Sequence, residues 1–353
     1  MAFAWRLRPE IVCTLQGFFA AKPTDNIVSI LVGSDIYVYG KYHEFQPIVR
    51  ETSNDTPINY WAVAVVRADS NIRTLQDLQG KRSCHVAVGD ASGWTVPLGL
   101  LIKNKMITPE LCENEKLISS FFSKSCVPGA QNLGVIDNTS TSTLCKQCIG
   151  DGQEHHVCDA TELERYYGNS GALRCLVERS GDVAFVRNDV IDRYIDGRSD
   201  VSWSKKFRSN DYKLLCLQGG QGNVTDYEKC NLAYVAGPCV MMTKDTTDES
   251  RKDAVEFFIN AGHLFGGNST SFRLFGSSLD DSNDVLFSDK ATGFTTLPVD
   301  VDYIDILGEE FTELAELSDY ESCKLVANKS CDCVFHYLVT LLQTFMFLLL
   351  CFN

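Results

Sequence analysis

A chain of 353 residues with 32 basic and 46 acidic side chains carries a net charge of −14. That length buries a sizeable core and divides more naturally into two subdomains than one. The acidic balance excludes nucleic-acid backbones and anionic lipid headgroups as electrostatic partners and suits a soluble or cation-rich setting.

In chain order, the first residues hold Arg6 and Arg8 but run into Pro9-Glu10, without the apolar stretch and small-residue cleavage site of an export signal. An upstream segment carrying that signal is therefore expected. Residues 26–38 read as a buried strand, a turn and a short helix. The run Ala62–Val66 is apolar throughout and of strand length, as in a sheet covered on both faces. Thr74–Leu78 suggests a short helix. Residues 84–97, Cys-His-Val-Ala-Val-Gly-Asp-Ala-Ser-Gly-Trp-Thr-Val-Pro, then read as a strand entering a Gly/Ser turn that opens a helix from Gly93. A helix start presents unpaired N–H groups and a partial positive charge, which is the architecture of an anion site. Yet this turn brings an anion of its own, Asp90, and neither Arg nor Lys.

Residues 108–125 read as helical, 127–160 as a cysteine-bearing loop, and Asp159–Arg174 as a helix with Asp159 and Thr161 as cap candidates. Strands are expected at Asp182–Val186, Tyr212–Cys216 and Leu232–Val235, with helices at 250–265 and Tyr303–Leu317. Strands alternating with helices define an α/β protein with mixed sheets.

Fifteen cysteines exceed intracellular usage, and their spacing is not that of a regular zinc motif. Cys145-x-x-Cys148 is metal-like or redox-like in spacing, but it lies in a polar loop with Cys158 nearby, so disulfide use is the preferred reading. Five Asn-x-Ser/Thr sequons, at Asn54, Asn138, Asn223, Asn268 and Asn328, point to the same secretory compartment. Val334–Phe352 is almost wholly apolar and uncharged, just long enough at helical rise to reach across a bilayer core. With only Asn353 after it, it reads as a removable glycolipid-anchor signal or a membrane segment.

Several stretches resemble the transferrin family. Cys84-His85-x4-Asp90-Ala91-Ser92-Gly93-Trp94-x2-Pro97-Leu98-Gly99-Leu100 is similar to its carbonate-binding turn. Residues 166–176 (Tyr-Tyr-Gly-Asn-Ser-Gly-Ala-Leu-Arg-Cys-Leu), Gly181–Val186, Asp211–Cys216, Cys230–Ala233 and Asp284–Asp289 follow in the family's order. Leu163–Tyr167 and Val127-Pro128-Gly129 look most like its melanotransferrin and single-lobe otolith-matrix branches. The resemblance covers about residues 13–325 and implies one lobe that begins late, with a first strand and a partner for Cys13 upstream. It implies two α/β subdomains around a hinged cleft, one from 1–61 and 235–325 and one from 62–234, followed by the hydrophobic tail 326–353. Hinge strands would fall near 58–64 and 232–238. The family's disulfides suggest Cys84–Cys175 and Cys216–Cys230, with Cys126 pairing Cys323 and Cys145, Cys148 and Cys158 left open.

Ferric iron is a hard cation, and the family holds it with two tyrosinates, an aspartate, a histidine and a carbonate. Carried over by position, the aspartate falls on Leu31, the second tyrosine on Asn169 and the histidine on Pro238; Tyr60 alone is retained. The carbonate-binding Thr becomes Val86 and the Arg becomes Asp90, leaving Ser92 and Gly93 as vestiges of the anion site. Loss of three ligands and a change of sign at the anion anchor argue against ferric binding of the family type.

Other candidates are thinner. Asp35 and Asp90 could meet across the cleft for weak calcium contact, but two carboxylates are too few for a cage. His155-His156, Asp280-Asp281 and Glu309-Glu310 read as solvated polar faces. No nucleophile elbow or Ser/His/Asp set marks an enzyme. The expectation is a secreted or surface-anchored glycoprotein lobe with a decayed metal site and no resident cofactor, engaging an extracellular protein or matrix. The alternatives are an iron(III) carrier with a remodelled site, in which Tyr60, Asp35, Asp90 and Tyr234 would have to converge, and an acidic biomineral matrix protein.

Overall fold

The computed structural model describes residues 6–7, 11–13, 26–108, 114–132, 143–266, 274–275 and 287–319. The expected tail lies outside these residues, and among them no helix is long and apolar enough to cross a membrane. Strands β1 (Arg6–Leu7), β2 (Ile11–Cys13) and β3 (Asn26–Leu31) lead into helix α1 (Ser34–Tyr42), β4 (Phe45–Ser53), β5 (Thr56–Pro57) and β6 (Asn59–Arg67). Strand β7 (Arg82–His85) is followed by a π-turn at Ala91–Thr95, α2 (Val96–Lys103), α3 (Asn114–Phe121) and β8 (Lys124–Cys126). Then come α4 (Gly168–Val177), β9 (Val183–Arg187), α5 (Asn188–Tyr194), β10 (Tyr212–Leu215), β11 (Gln221–Asn223) and β12 (Ala233–Ala236). The described chain closes with β13 (Cys239–Thr243), α6 (Asp248–Phe265), β14 (Gly293–Thr296), α7 (Tyr303–Leu307) and α8 (Glu309–Leu317).

These strands form two mixed sheets. The first runs β1-β2-β3-β13-β4-β14 with β5 beside β4; the second runs β11-β10-β6-β9-β7-β8 with β12 beside β6. The first sheet thus draws on both ends of the chain and the second on its middle. Strand β6 is central to the second sheet: Ala62–Val66 are fully buried and pair with β9, Ala64–Arg67 pair with β10 on the other side, and Asn59–Ala62 pair antiparallel with β12. Because β7 runs parallel to β9, their carboxyl ends open on one edge of the second sheet, the edge where α/β folds place ligands. Helix α6 covers the first sheet over an aromatic cluster in which Phe275 and Phe294 lie edge to face at 5.0 Å.

Helix α8 ties the second sheet to the first. Its Leu314 fills the space over Gly99 of α2, where a Cβ would stand 2.6 Å from the Leu314 carbonyl oxygen. Glu313 pairs with Lys103 at 2.8 Å. At its end, Asp319 accepts hydrogen bonds from Tyr37, Tyr42 and Lys41 of the α1 region.

Three local expectations change. The helix expected from Asp159 begins at Gly168, because buried Glu164 gathers the N–H groups of Ile149, Gly150, Cys158 and Tyr166 and holds the preceding residues in a turn. Residues 124–126 leave the helical run and pair parallel with β7. The helix expected over 303–317 breaks at Gly308, whose φ of 78° admits glycine readily.

Among the described residues, four disulfides lie in the middle of the chain. Cys84 bonds Cys175 and Cys216 bonds Cys230. Cys126 bonds Cys148 rather than Cys323, and Cys145 bonds Cys158. The reason is local pairing: Gln147 N–H donates to Ser125 and Val127 N–H to Leu144, which brings the Cα atoms of Cys126 and Cys148 to 4.7 Å. Cys323 lies outside the described residues.

Candidate functional site

The site forms where the β7–α2 turn, the end of β9 and the start of α1 meet. Asp90 caps the turn: its Oδ1 accepts from Gly93 N–H at 2.6 Å and from the Ser92 hydroxyl at 2.7 Å. The carbonyl of Asp90 receives both Trp94 and Thr95 N–H, which widens the first turn into a π-turn, a distortion frequent at functional sites. The Gly93 N–H and the Ser92 hydroxyl, which a bound anion would use, are therefore taken by a side chain of the same turn. Burial pushes the Asp90 carboxyl up, and the bonds from Gly93 and Ser92 and the charge of Arg187 oppose that shift.

Behind the turn, His85 is fully buried, with Nδ1 at 2.6 Å from the Gly93 carbonyl oxygen and Nε2 at 2.8 Å from Ser83 Oγ. Desolvation lowers its pKa to about 4, so the imidazole is neutral and clamps the turn to β7. Gly93 packs directly on Val86, where an added Cβ would fall 2.5 Å from the Val86 nitrogen.

In front of the turn, Arg187 supplies the positive charge that the turn lacks. Its guanidinium lies 4.8 Å over the Tyr60 ring, and its Nε donates to Asp189 Oδ1 at 3.0 Å. Burial would raise the Asp189 carboxyl, but Arg187 outweighs that and holds it below the usual range. The Tyr60 phenol is pushed up by burial and then by Asp90, with Arg187 opposing, so it stays protonated. Asn169 turns its Oδ1 onto the Arg187 backbone N–H at 2.8 Å.

Across from these lies the α1 start. A Cβ on Gly33 would stand 2.6 Å from Ala91 Cβ and 3.0 Å from Tyr60 Oη, so the two walls touch. Ser34 and Thr95 share a hydroxyl–hydroxyl bond of 2.7 Å. Asp35 sits at the rim in contact with solvent, and desolvation followed by the nearby Asp90 charge raises its carboxyl to about 6.

A transferrin family model matches residues 18–318. The chain is 36% identical to human melanotransferrin over 332 residues, 90% of this chain and 43% of that protein. It is 32% identical to zebrafish (Danio rerio) otolith matrix protein 1 over 332 residues, 91% of this chain and 87% of that one. The chain belongs to the transferrin family. It spans about two-fifths of the length of the melanotransferrins it matches. A mouse inhibitor of carbonic anhydrase is 35% identical over 278 residues, 78% of this chain and 36% of that protein.

Within this transferrin lobe the four positions taken from the family's ligands are spread over four elements. Leu31 is buried at the end of β3, Tyr60 is buried in β6, Asn169 lies at the start of α4 and Pro238 follows β12. Tyr234 does not join Tyr60: it is 44% exposed, on the other face of β12, with its ring 4.7 Å from Trp61. His155 and His156 each bind a neighbouring acid, Asp151 and Asp159, and organise their own loop. Glu309 and Glu310 begin α8, where acid side chains favour the helix start. Asp280 and Asp281 lie outside the described residues. Among the described residues the one group of three or more metal-type donors within reach of a shared ion is Cys126, Cys148 and Glu164, and its two sulfurs are bonded to each other.

Sequence reasoning missed Arg187, Asp189 and the Ser34–Thr95 bond. The signal for Arg187 was present: it directly follows the buried run Val183–Val186, at the carboxyl end of a strand parallel to β7.

Proposed function

We propose that this chain is a single transferrin-type lobe acting outside the cell as a binding or matrix protein, without carrying ferric iron. One observation carries the reading: Asp90 occupies the N–H and hydroxyl donors of the anion turn with its own carboxylate. A tethered carboxylate competes at a very high effective concentration against free bicarbonate. Leu31, Asn169 and Pro238 offer no anionic oxygen, and Tyr60 is a phenol held protonated. Donors of this kind do not fit a trivalent metal.

A matrix role is favoured over a receptor role by two facts. The likeness to an otolith matrix protein covers both chains nearly end to end, and the net charge of −14 suits contact with a calcium mineral surface. Surface placement of Asn54 and Asn223 suits glycosylation, while Asn138, Asn268 and Asn328 lie outside the described residues. Secretion, glycan addition and anchoring through Val334–Phe352 belong to the same proposal.

The test is titration with ferric ion in bicarbonate buffer, followed by the visible tyrosinate-to-iron band. The expected result is no stoichiometric band. A one-to-one band of micromolar or tighter affinity would overturn the reading. Adsorption to calcium carbonate is expected of the matrix role; its absence would leave a soluble binding partner instead.

A further inference from the structure

Two turns from different sheets close on each other at the candidate site, and nothing in their contact needs a ligand. Gly33 lies so near Ala91 that there is no room for a Cβ, and Tyr60 Oη packs beneath it. Its φ of 47° lets the chain fold sharply into α1 there, a conformation that side-chain-bearing residues seldom adopt. The next residue, Ser34, bonds Thr95 at 2.7 Å. Both Ala91 and Thr95 belong to the π-turn whose shape is fixed by Asp90 on one side and His85 on the other. Helix α8 adds a second connection away from the turn, through Leu314 on Gly99 and Glu313 on Lys103.

We infer that the lobe is self-latched: the Gly33-Ser34 turn docks on Ala91–Thr95, and the lobe stays closed with neither anion nor metal bound. This rests on the proposed reading in one respect, that Asp90 stands where an anion would otherwise be needed to organise the turn. A bound ion that bridges two walls stabilises closure only through its stronger binding to the closed state. Here the bridging groups are covalently part of the walls, so closure carries no ligand dependence.

The experiment uses the full chain, stripped of iron with a chelator and kept free of bicarbonate. Small-angle scattering is compared between the parent and a Ser34→Cys/Thr95→Cys variant before and after oxidation. The self-latched lobe gives the same radius of gyration in all three, and the new disulfide forms fully without ligand. Cys239, the free cysteine among the described residues, is buried, and peptide mapping of the oxidised variant assigns the new bond. A second variant, Ala91→Phe, wedges the turns apart; it should enlarge the radius of gyration by about 1 Å from the roughly 20 Å of a globule this long. In the background Ser34→Cys/Thr95→Cys it should slow cross-linking by at least ~10-fold. The latch is wrong if the stripped parent is larger than its cross-linked form and contracts on adding ferric ion or bicarbonate. Iron binding with unchanged scattering would instead overturn the proposed function and leave the latch standing. An expanded parent that binds no iron would overturn the latch alone.

Discussion

The β7–α2 turn has two faces built on different terms. The inner face is covalent and dry: Cys84 bonds Cys175, and His85 spans Ser83 and Gly93 with no exposed atom. The outer face is ionic: Asp90, Arg187, Asp189, Asp35 and Tyr60 act on one another around a contact between two sheets. Change on the inner face disturbs the fold, because buried groups left without partners are costly. Change on the outer face alters chemistry and spares the fold. On the proposed reading, the outer residues of the turn can be exchanged while the buried frame that positions them is kept.

The comparison breaks first at the inner face. Replacing Cys84 and Cys175 by serine should cost about 2–5 kcal/mol in denaturant unfolding. The same change at Cys216 and Cys230, which are 14 residues apart against 91, should cost about 1.5 kcal/mol less on chain-entropy grounds. Equal losses would show that the two staples are not distinguished by the loops they close.

Acid probes the same face through His85. Its folded pKa of about 4 lies below the ordinary 6.5, so the unfolded chain binds the proton more readily. The associated stability is complete above about pH 6.5 and is lost as pH falls toward 4, to a limit of about 3 kcal/mol. Unfolding midpoints measured across that window should flatten in His85→Asn if the imidazole is responsible.

On the outer face, effects shrink. Asp90→Ala removes a helix cap and should cost about 1 kcal/mol by thermal or denaturant unfolding. It should bring no ferric binding, because no donor is gained. Asp35→Asn should have the smallest effect and the opposite sign. The raised carboxyl of Asp35 disfavours the folded state when ionised: the penalty is absent below about pH 4 and full above about pH 6. The groups around it are Asp90, which raises it, and, about Asp90 in turn, Arg187, Tyr60 and Tyr167. Since Asp35 keeps solvent contact, the gain at pH 7 should stay under about 1 kcal/mol and vanish at pH 4.

Much of the fold was legible because its signals are local. The apolar run Ala62–Val66 declared a strand buried on both faces, and the sequence from Cys84 to Pro97 declared a strand, turn and helix. What could not be read was pairing between distant segments. The resemblance suggested Cys323 for Cys126, whereas the backbone bonds from Gln147 and Val127 place Cys148 beside it. Likewise, the turn looked electrostatically inverted because its cation, Arg187, arrives from a strand about a hundred residues later. Asp90 was read as repelling an anion, whereas its carboxylate folds back to become the cap itself.

The most direct test of the central claim is carbon-13 NMR of labelled bicarbonate with one equivalent of gallium(III), a diamagnetic stand-in for ferric iron. Asp90 already seated on the Gly93 N–H predicts only the free bicarbonate resonance. A distinct, slowly exchanging carbonate signal at one equivalent per chain would show that the turn still receives an outside anion, and would contradict the account.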